Sequence, residues 1–118
     1  MRCLNYILVG QTPVPEPDLE KWARWFESSD RSVFRTSVEG TASMISTVFL
    51  GTDHQWGDGP PMLFETMVFG GDEEIDQYCE RCSTWLEAEA QHKRIVKMAE
   101  LLAAKAKGWL EFMERLHR

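Results

Sequence analysis

A chain of 118 residues, 43% hydrophobic and 27% charged, is long enough for one domain with its own core, too short for two, and too apolar for wholesale disorder. A net charge of −6 works against phosphate, so direct nucleic-acid binding is not expected. No apolar run approaches the ~18 residues that a membrane span needs.

The opening "MRCLNYILVG" carries one basic residue and lacks a small-residue cleavage site, which predicts a strand over 3–10 and not a signal peptide. Leu4, Tyr6 and Leu8 fall on one face of it, Ile7 and Val9 on the other. In "QTPVPEP" three prolines at alternating positions predict irregular chain. Pro17 then suits the first helical position, with Asp18 and Glu20 favourable in the first turn. Leu19, Trp22, Ala23 and Phe26 mark one face of a helix over 17–28.

Two strands follow, 32–40 and 41–51, with a tight turn at Glu39-Gly40. In the second, Ile45, Thr47 and Phe49 alternate with Met44, Ser46, Val48 and Leu50. An eleven-residue loop, 51–61, precedes a further strand over 62–69. The segment "GGDEEIDQYC" reads as an acidic surface turn with little regular structure.

From Thr84 the period changes. Thr84 and Glu87 match a capping box. Ala88, His92, Ile95, Ala99, Leu102, Ala106, Trp109, Met113 and Leu116 then recur at alternating four- and three-residue steps, the a/d seam of a coiled coil. A helix over 84–117 is about 50 Å long, whereas strands of seven or eight residues reach only about 25 Å. Its second half must overhang the sheet, and an overhanging apolar seam implies a second copy. The competing expectation is a break at Gly108, with the helix folding back on its own domain. The fold class expected is therefore α+β: one domain, 1–118, with a four-stranded antiparallel sheet and short helix in 1–83 and a long helix in 84–117. Both strand phases are apolar, so the face away from the long helix is expected to be covered by the first helix or by a second subunit.

Charge is unevenly divided. Residues 1–92 hold 16 acidic and 6 basic side chains, and residues 93–118 hold 3 acidic and 7 basic. That asymmetry points to pairing between molecules or to a partner at one end. Cys3, Cys79 and Cys82 are an odd set, which argues against a disulfide framework. Cys79-x-x-Cys82 with His54 and His92 fits no common zinc spacing. Neither a metal nor a cofactor is expected.

The candidate site lies in and around the loop. Glu65 sits in phase with apolar Leu63, Met67 and Phe69, so it needs a partner if buried; Arg35 is the expected one. His92 is the polar member of the seam. If the helix crosses the sheet near the loop, Asp53, His54, Glu65 and His92 converge, with Trp56 as a stacking surface. An enzymatic reading makes His54 a general base, with Glu65 or His92 as a second acid/base group, as in a small hydrolase. No nucleophile elbow, phosphate-cradling loop or HExxH supports it. A binding reading uses Trp56 as a flat apolar face and Arg35, His54 and Glu65 as convergent polar groups. A structural reading has Asp53 in an Asx turn, His54 on a backbone carbonyl and Trp56 plugging the core.

The block "STVFLGTDHQWGDGPPMLFETMVFGG" (46–71), followed by "STWLEAEAQH" (83–92), resembles a family of small phage- and prophage-encoded proteins whose members also share an "NYILVGQTPVPEPDLEKWARWFE"-like start. The resemblance covers roughly residues 4–92 and carries no established activity with it. It places emphasis on His54, Gly57, Pro60, Pro61, Glu65, Thr66, Gly70, Gly71 and His92. Cys82 stands where the family pattern has tyrosine, and the helix beyond about residue 95 is longer than in similar proteins. What the resemblance implies is an accessory, anti-defence protein in the host cytoplasm. It would be a non-enzymatic protein that binds a host protein or sequesters a nucleotide-like ligand; the homodimer is expected from the overhanging seam of this sequence alone. The alternative is a virion or assembly component that works through its coiled coil. Ligand contacts are expected from Arg35, Asp53, His54, Trp56, Glu65 and His92, and oligomer contacts from Ile95, Ala99, Leu102, Ala106, Trp109, Met113 and Leu116.

Overall fold

The computed structural model describes residues 2–72 and 74–117. Six strands and two helices follow one another as β1 (Tyr6–Val9), β2 (Thr12–Pro15), α1 (Leu19–Ser28), β3 (Ser32–Ser37), β4 (Met44–Phe49), β5 (Phe64–Phe69), β6 (Cys79–Cys82) and α2 (Trp85–Leu116). The architecture is α+β, with an antiparallel four-stranded sheet in the order β3-β4-β5-β6, a short helix and a long C-terminal helix.

The fourth strand of that sheet is not the N-terminal one. β1 pairs with β2 in a separate two-stranded hairpin, with Leu8 opposite Pro13 and Tyr6 opposite Pro15. The proline-rich segment therefore is a strand, contrary to expectation. Its prolines alternate, so all of them face away from β1, while the even positions donate inward; Glu16 N–H, for instance, donates to the Asn5 carbonyl at 2.9 Å. An edge strand tolerates proline in that phase. The fourth place is taken by β6, drawn from the segment expected to be irregular; it pairs Glu65 with Arg81 and Thr66 with Glu80.

Local chemistry sets the boundaries. α1 begins at Leu19 and not at Pro17, because Asp18 is extended and its carboxylate caps the Glu20 and Lys21 N–H groups. The turn at Glu39-Gly40 forms as read: Thr41 N–H donates to Val38 O at 3.2 Å, Gly40 has φ of 77°, and Val38 N–H donates to Ser43 O at 2.9 Å to close the hairpin. Thr84 caps α2, its hydroxyl accepting from Glu87 N–H at 3.1 Å and donating to the Glu87 carboxylate at 2.9 Å.

One face of the sheet carries Ile45, Phe49, Phe64 and Val68, all fully buried, and α2 packs on it through Ala88, His92, Ile95 and Ala99. α1 lies against β1 at the end of the core, its Trp25 ring edge-on to Phe49 at 5.7 Å. It does not cover the opposite face, where Met44, Ser46, Val48, Glu65 and Met67 are half-buried and Phe69 is exposed. α2 runs unbroken through Gly108, so the folded-back arrangement is not adopted. A helical glycine costs only about 1 kcal/mol against alanine, too little to break a 32-residue helix. The result is a molecule 67 × 30 × 21 Å, its long axis that of an overhanging helix. Among the described residues, no helix is long and apolar enough to cross a membrane.

Candidate functional site

The loop 51–61 stands on a built platform. Tyr6 N–H donates to Gly51 O at 2.9 Å, and Asp53 N–H donates to Leu4 O at 2.8 Å, which ties the loop's first residues to β1. From α1, the Trp22 indole N–H is shared between Tyr6 O at 3.1 Å and Gly51 O at 2.9 Å. Gly51 has φ of 78°, and a Cβ there would meet the Phe26 ring at 3.1 Å. Only glycine satisfies both the backbone and the packing.

Asp53 organises the loop's interior. Its side chain is 2% exposed. One oxygen accepts the Gln55 N–H at 2.8 Å and the Met62 N–H at 3.0 Å, and the other lies 2.9 Å from Arg2 Nε. The same guanidinium donates to Gly57 O at 3.1 Å and Gly59 O at 2.7 Å, so one arginine fixes three points of the loop. The Asx turn read from the sequence is present. His54 differs in detail: its Nε2 bonds the Thr52 hydroxyl at 3.1 Å, not a backbone carbonyl. Trp56 does not plug the core. It is 97% exposed at the tip of this braced loop; Trp25 and Trp85 supply the core-side tryptophans.

The four-residue convergence is not made. Side chains alternate across a strand, and Glu65 and Thr66 therefore face opposite sides of β5. Glu65 points to the open sheet face and pairs with Arg81 of β6 at 2.8 Å. The expected partner, Arg35, is exposed opposite Ser46, with β4 between it and β5. His92 lies on the other side of the sheet, on α2 and buried against it.

There His92 belongs to a polar chain absent from the sequence reading. Its Nε2 is 2.9 Å from the Thr36 hydroxyl and its Nδ1 2.8 Å from the Thr47 hydroxyl. Thr47 and Thr66 hydroxyls are 2.6 Å apart, and Gln91 Nε2 donates to the Thr66 hydroxyl at 2.9 Å and to Glu80 O at 3.1 Å. With the Thr66 oxygen accepting from Gln91, the one order that gives the Thr66 hydrogen an acceptor in this chain has Thr66 donating to Thr47, Thr47 to Nδ1, and the Nε2–H to Thr36. Burial holds the His92 pKa below its ordinary value, and this donor order needs the neutral ring. Thr47 and Thr66, each flanked by buried apolar residues in phase, were the available signal.

Cys79 pairs opposite Met67 on the open face, and Cys82 opposite Phe64 in the core. The two thiols of the CxxC thus lie on opposite faces of one strand. Burial pushes the Cys82 thiol up to about 11. Among the described residues, no group of three or more His, Cys, Asp or Glu side chains is placed to hold a metal ion.

The seam divides where the sheet ends. Ile95 and Ala99 are buried and Leu102 is half-buried, whereas Ala106, Trp109 and Leu116 are exposed and Met113 is half-buried. Leu110 and Phe112 are exposed beside them, which widens the stripe; Lys93, Lys97 and Glu111 fall on the far side of the helix, while Glu100 and Lys107 flank the stripe at the groove. No family model matches the chain, and neither a curated protein nor a solved structure matches it.

Proposed function

We propose that this chain is a non-enzymatic binding protein that acts as a homodimer, holds its copies together through the overhanging half of α2, and engages a partner protein through the 51–61 loop. The observation that carries the reading is Trp56, 97% exposed on a loop whose base is buried and hydrogen-bonded. A rigidly presented tryptophan loses little conformational freedom on contact and supplies large amphipathic area, which is why such residues dominate interface energetics. A protein surface suits it better than a nucleotide, because small-ligand sites are concave and an almost fully exposed ring has no facing wall. The phage- and prophage-encoded proteins that segments 46–71 and 83–92 resemble supply the setting: an accessory, anti-defence factor acting on host machinery in the cytoplasm.

The test is native mass spectrometry on the protein purified from cells, as wild type and as Trp56→Ala. A protein partner retained by the wild type and lost from the variant, with dimer mass unchanged, supports the reading. Equal retention by both sinks the loop as the contact site.

A further inference from the structure

The apolar stripe of α2 serves two purposes. Its first half is covered by the sheet, and its second half runs past the rim with Trp109 61% and Leu116 62% exposed. At the point of departure is an open groove of about 770 Å³, ended by Val38, Ile75 and Ala99 and roofed by Leu102, Ala103 and Ala106. We propose that this groove receives the C-terminal end of α2 from a second copy, in an antiparallel pair where each helix occupies the layer that the other's sheet leaves open. The inference rests on the homodimer proposed above and adds its geometry.

Direction follows from which side of α2 the sheet occupies. The sheet lies on the same stripe that the overhang presents, so a parallel pair would bring two sheets into the space between the helices at one end. Helices pack at about 8–10 Å between axes, and that leaves no room for even one sheet. In the antiparallel pair the sheets sit at opposite ends, and each helix tip abuts the other copy's rim.

Side-chain sizes select a register. With Trp109 against Ala106 of the second copy, Met113 falls opposite Leu102 and Leu116 opposite Ala99, at the closed end of the groove. Trp109 and Leu116 then meet alanines, and Met113 meets Leu102 between them, a pairing of large with small on both sides of that layer that helps to fill an interface without voids. A parallel pair would stack Trp109 on Trp109 and Ala106 on Ala106. The same register brings Arg115 opposite Glu100, next to the acidic rim of Glu39 and Asp72. Arg115 stands in the last turn of α2, where it offsets the negative end of the helix dipole against that rim.

An aromatic side chain buries roughly 150–250 Å² in full. With Trp109 61% and Phe112 45% exposed, the two from both copies contribute roughly 300–500 Å² toward the roughly 1,600 Å² of a standard interface. Exposed Leu110 and Leu116 and the walls of the groove add to it.

The experiment places a spin label on Lys93→Cys, an exposed position, in the full chain with Cys3→Ser and Cys79→Ser, and measures the inter-label distance by pulsed EPR. The register sets the two labels about 45 Å apart along the helix axis, and a distribution centred there supports the proposal. A dimer with labels within about 20 Å is parallel and overturns the groove while leaving the homodimer standing. A monomeric mass with no dipolar signal overturns both. Ala106→Glu, at an exposed position, is expected to shift the native mass from dimer to monomer with helical content unchanged. A variant that stays dimeric overturns the register.

Discussion

Thr47 is held between His92 and Thr66, its hydroxyl 2.8 Å from the imidazole Nδ1 and 2.6 Å from the Thr66 oxygen. A second proton on His92 would make Nδ1 a donor, reverse Thr47, and leave the Thr66 hydrogen without its acceptor. Desolvation acts in the same direction and keeps the His92 pKa depressed. The folded chain therefore resists a proton that the unfolded chain accepts below about pH 6.5. The stability tied to neutral His92 is complete above that value and is lost as pH falls toward and through the folded pKa, by up to ~1.4 kcal/mol per pH unit. Urea midpoints at fixed protein concentration should drop from pH 7.5 to 5.5 in the wild type and stay flat in His92→Gln. Equal wild-type midpoints would refute the assignment.

Glu80 occupies a separate, more acid window. The Arg94 guanidinium hydrogen-bonded to it holds its carboxyl below the usual range, so this contribution is present above about pH 4.5 and is lost below it. Because both groups are partly exposed, Arg94→Ala should cost less than about 1 kcal/mol at pH 7. A larger loss by urea denaturation would show that Arg94 also supports packing.

Asp53 is the loop's internal fastener, and its removal orphans two backbone N–H groups and Arg2. Asp53→Ala is expected to destabilise by about 2–4 kcal/mol and to open the 55–60 segment to proteolysis. Trp56→Ala, by contrast, should leave stability within about 0.5 kcal/mol. Cleavage sites mapped by mass spectrometry separate the two: an intact loop in Asp53→Ala would show that the turn holds without its carboxylate.

Gly70 has φ of 78°, and a Cβ there would run into the Ala42 carbonyl. Gly70→Ala should cost about 1–3 kcal/mol through backbone strain alone, before any displacement of the turn. An unchanged thermal midpoint would show that the turn re-forms elsewhere.

Cys82, with its thiol pushed up to about 11 and its side chain in the core, should resist iodoacetamide at pH 8 under native conditions, since the thiolate is the reactive form. Peptide mapping should show it modified only after unfolding. A Cys79–Cys82 disulfide in the native protein would contradict their placement on opposite faces of β6.

Much of this arrangement was legible because period and capping are local. The 45/47/49 alternation, the Thr84–Glu87 box and the Ala88–Leu116 seam each announce their element within a few residues. Two strands were hidden for the opposite reason. β6 is only Cys-Glu-Arg-Cys, four residues that become a strand by pairing with β5, and β2 depends on its prolines sharing one phase beside β1. Missing β6 also hid the Glu65 partner, so Arg35 was expected where Arg81 stands. Trp56 defeated the structural reading because a lone tryptophan in a loop carries no period, and its exposure is decided by Asp53 and Arg2 beneath it.

The loop and the groove lie at opposite ends of the sheet: β4 leaves the groove at Met44 and enters the loop after Phe49. In the antiparallel pair, the two Trp56 loops are therefore carried outward, on the order of 70 Å apart along the helix axis. A compact monomeric target would occupy the ends one at a time. A repeating target with a matching spacing would be gripped at two points, the second contact forming at an effective concentration set by the rigid span. A dimer built this way would read the spacing of its target as well as its surface, and shortening α2 by a turn would retune that spacing without touching either loop.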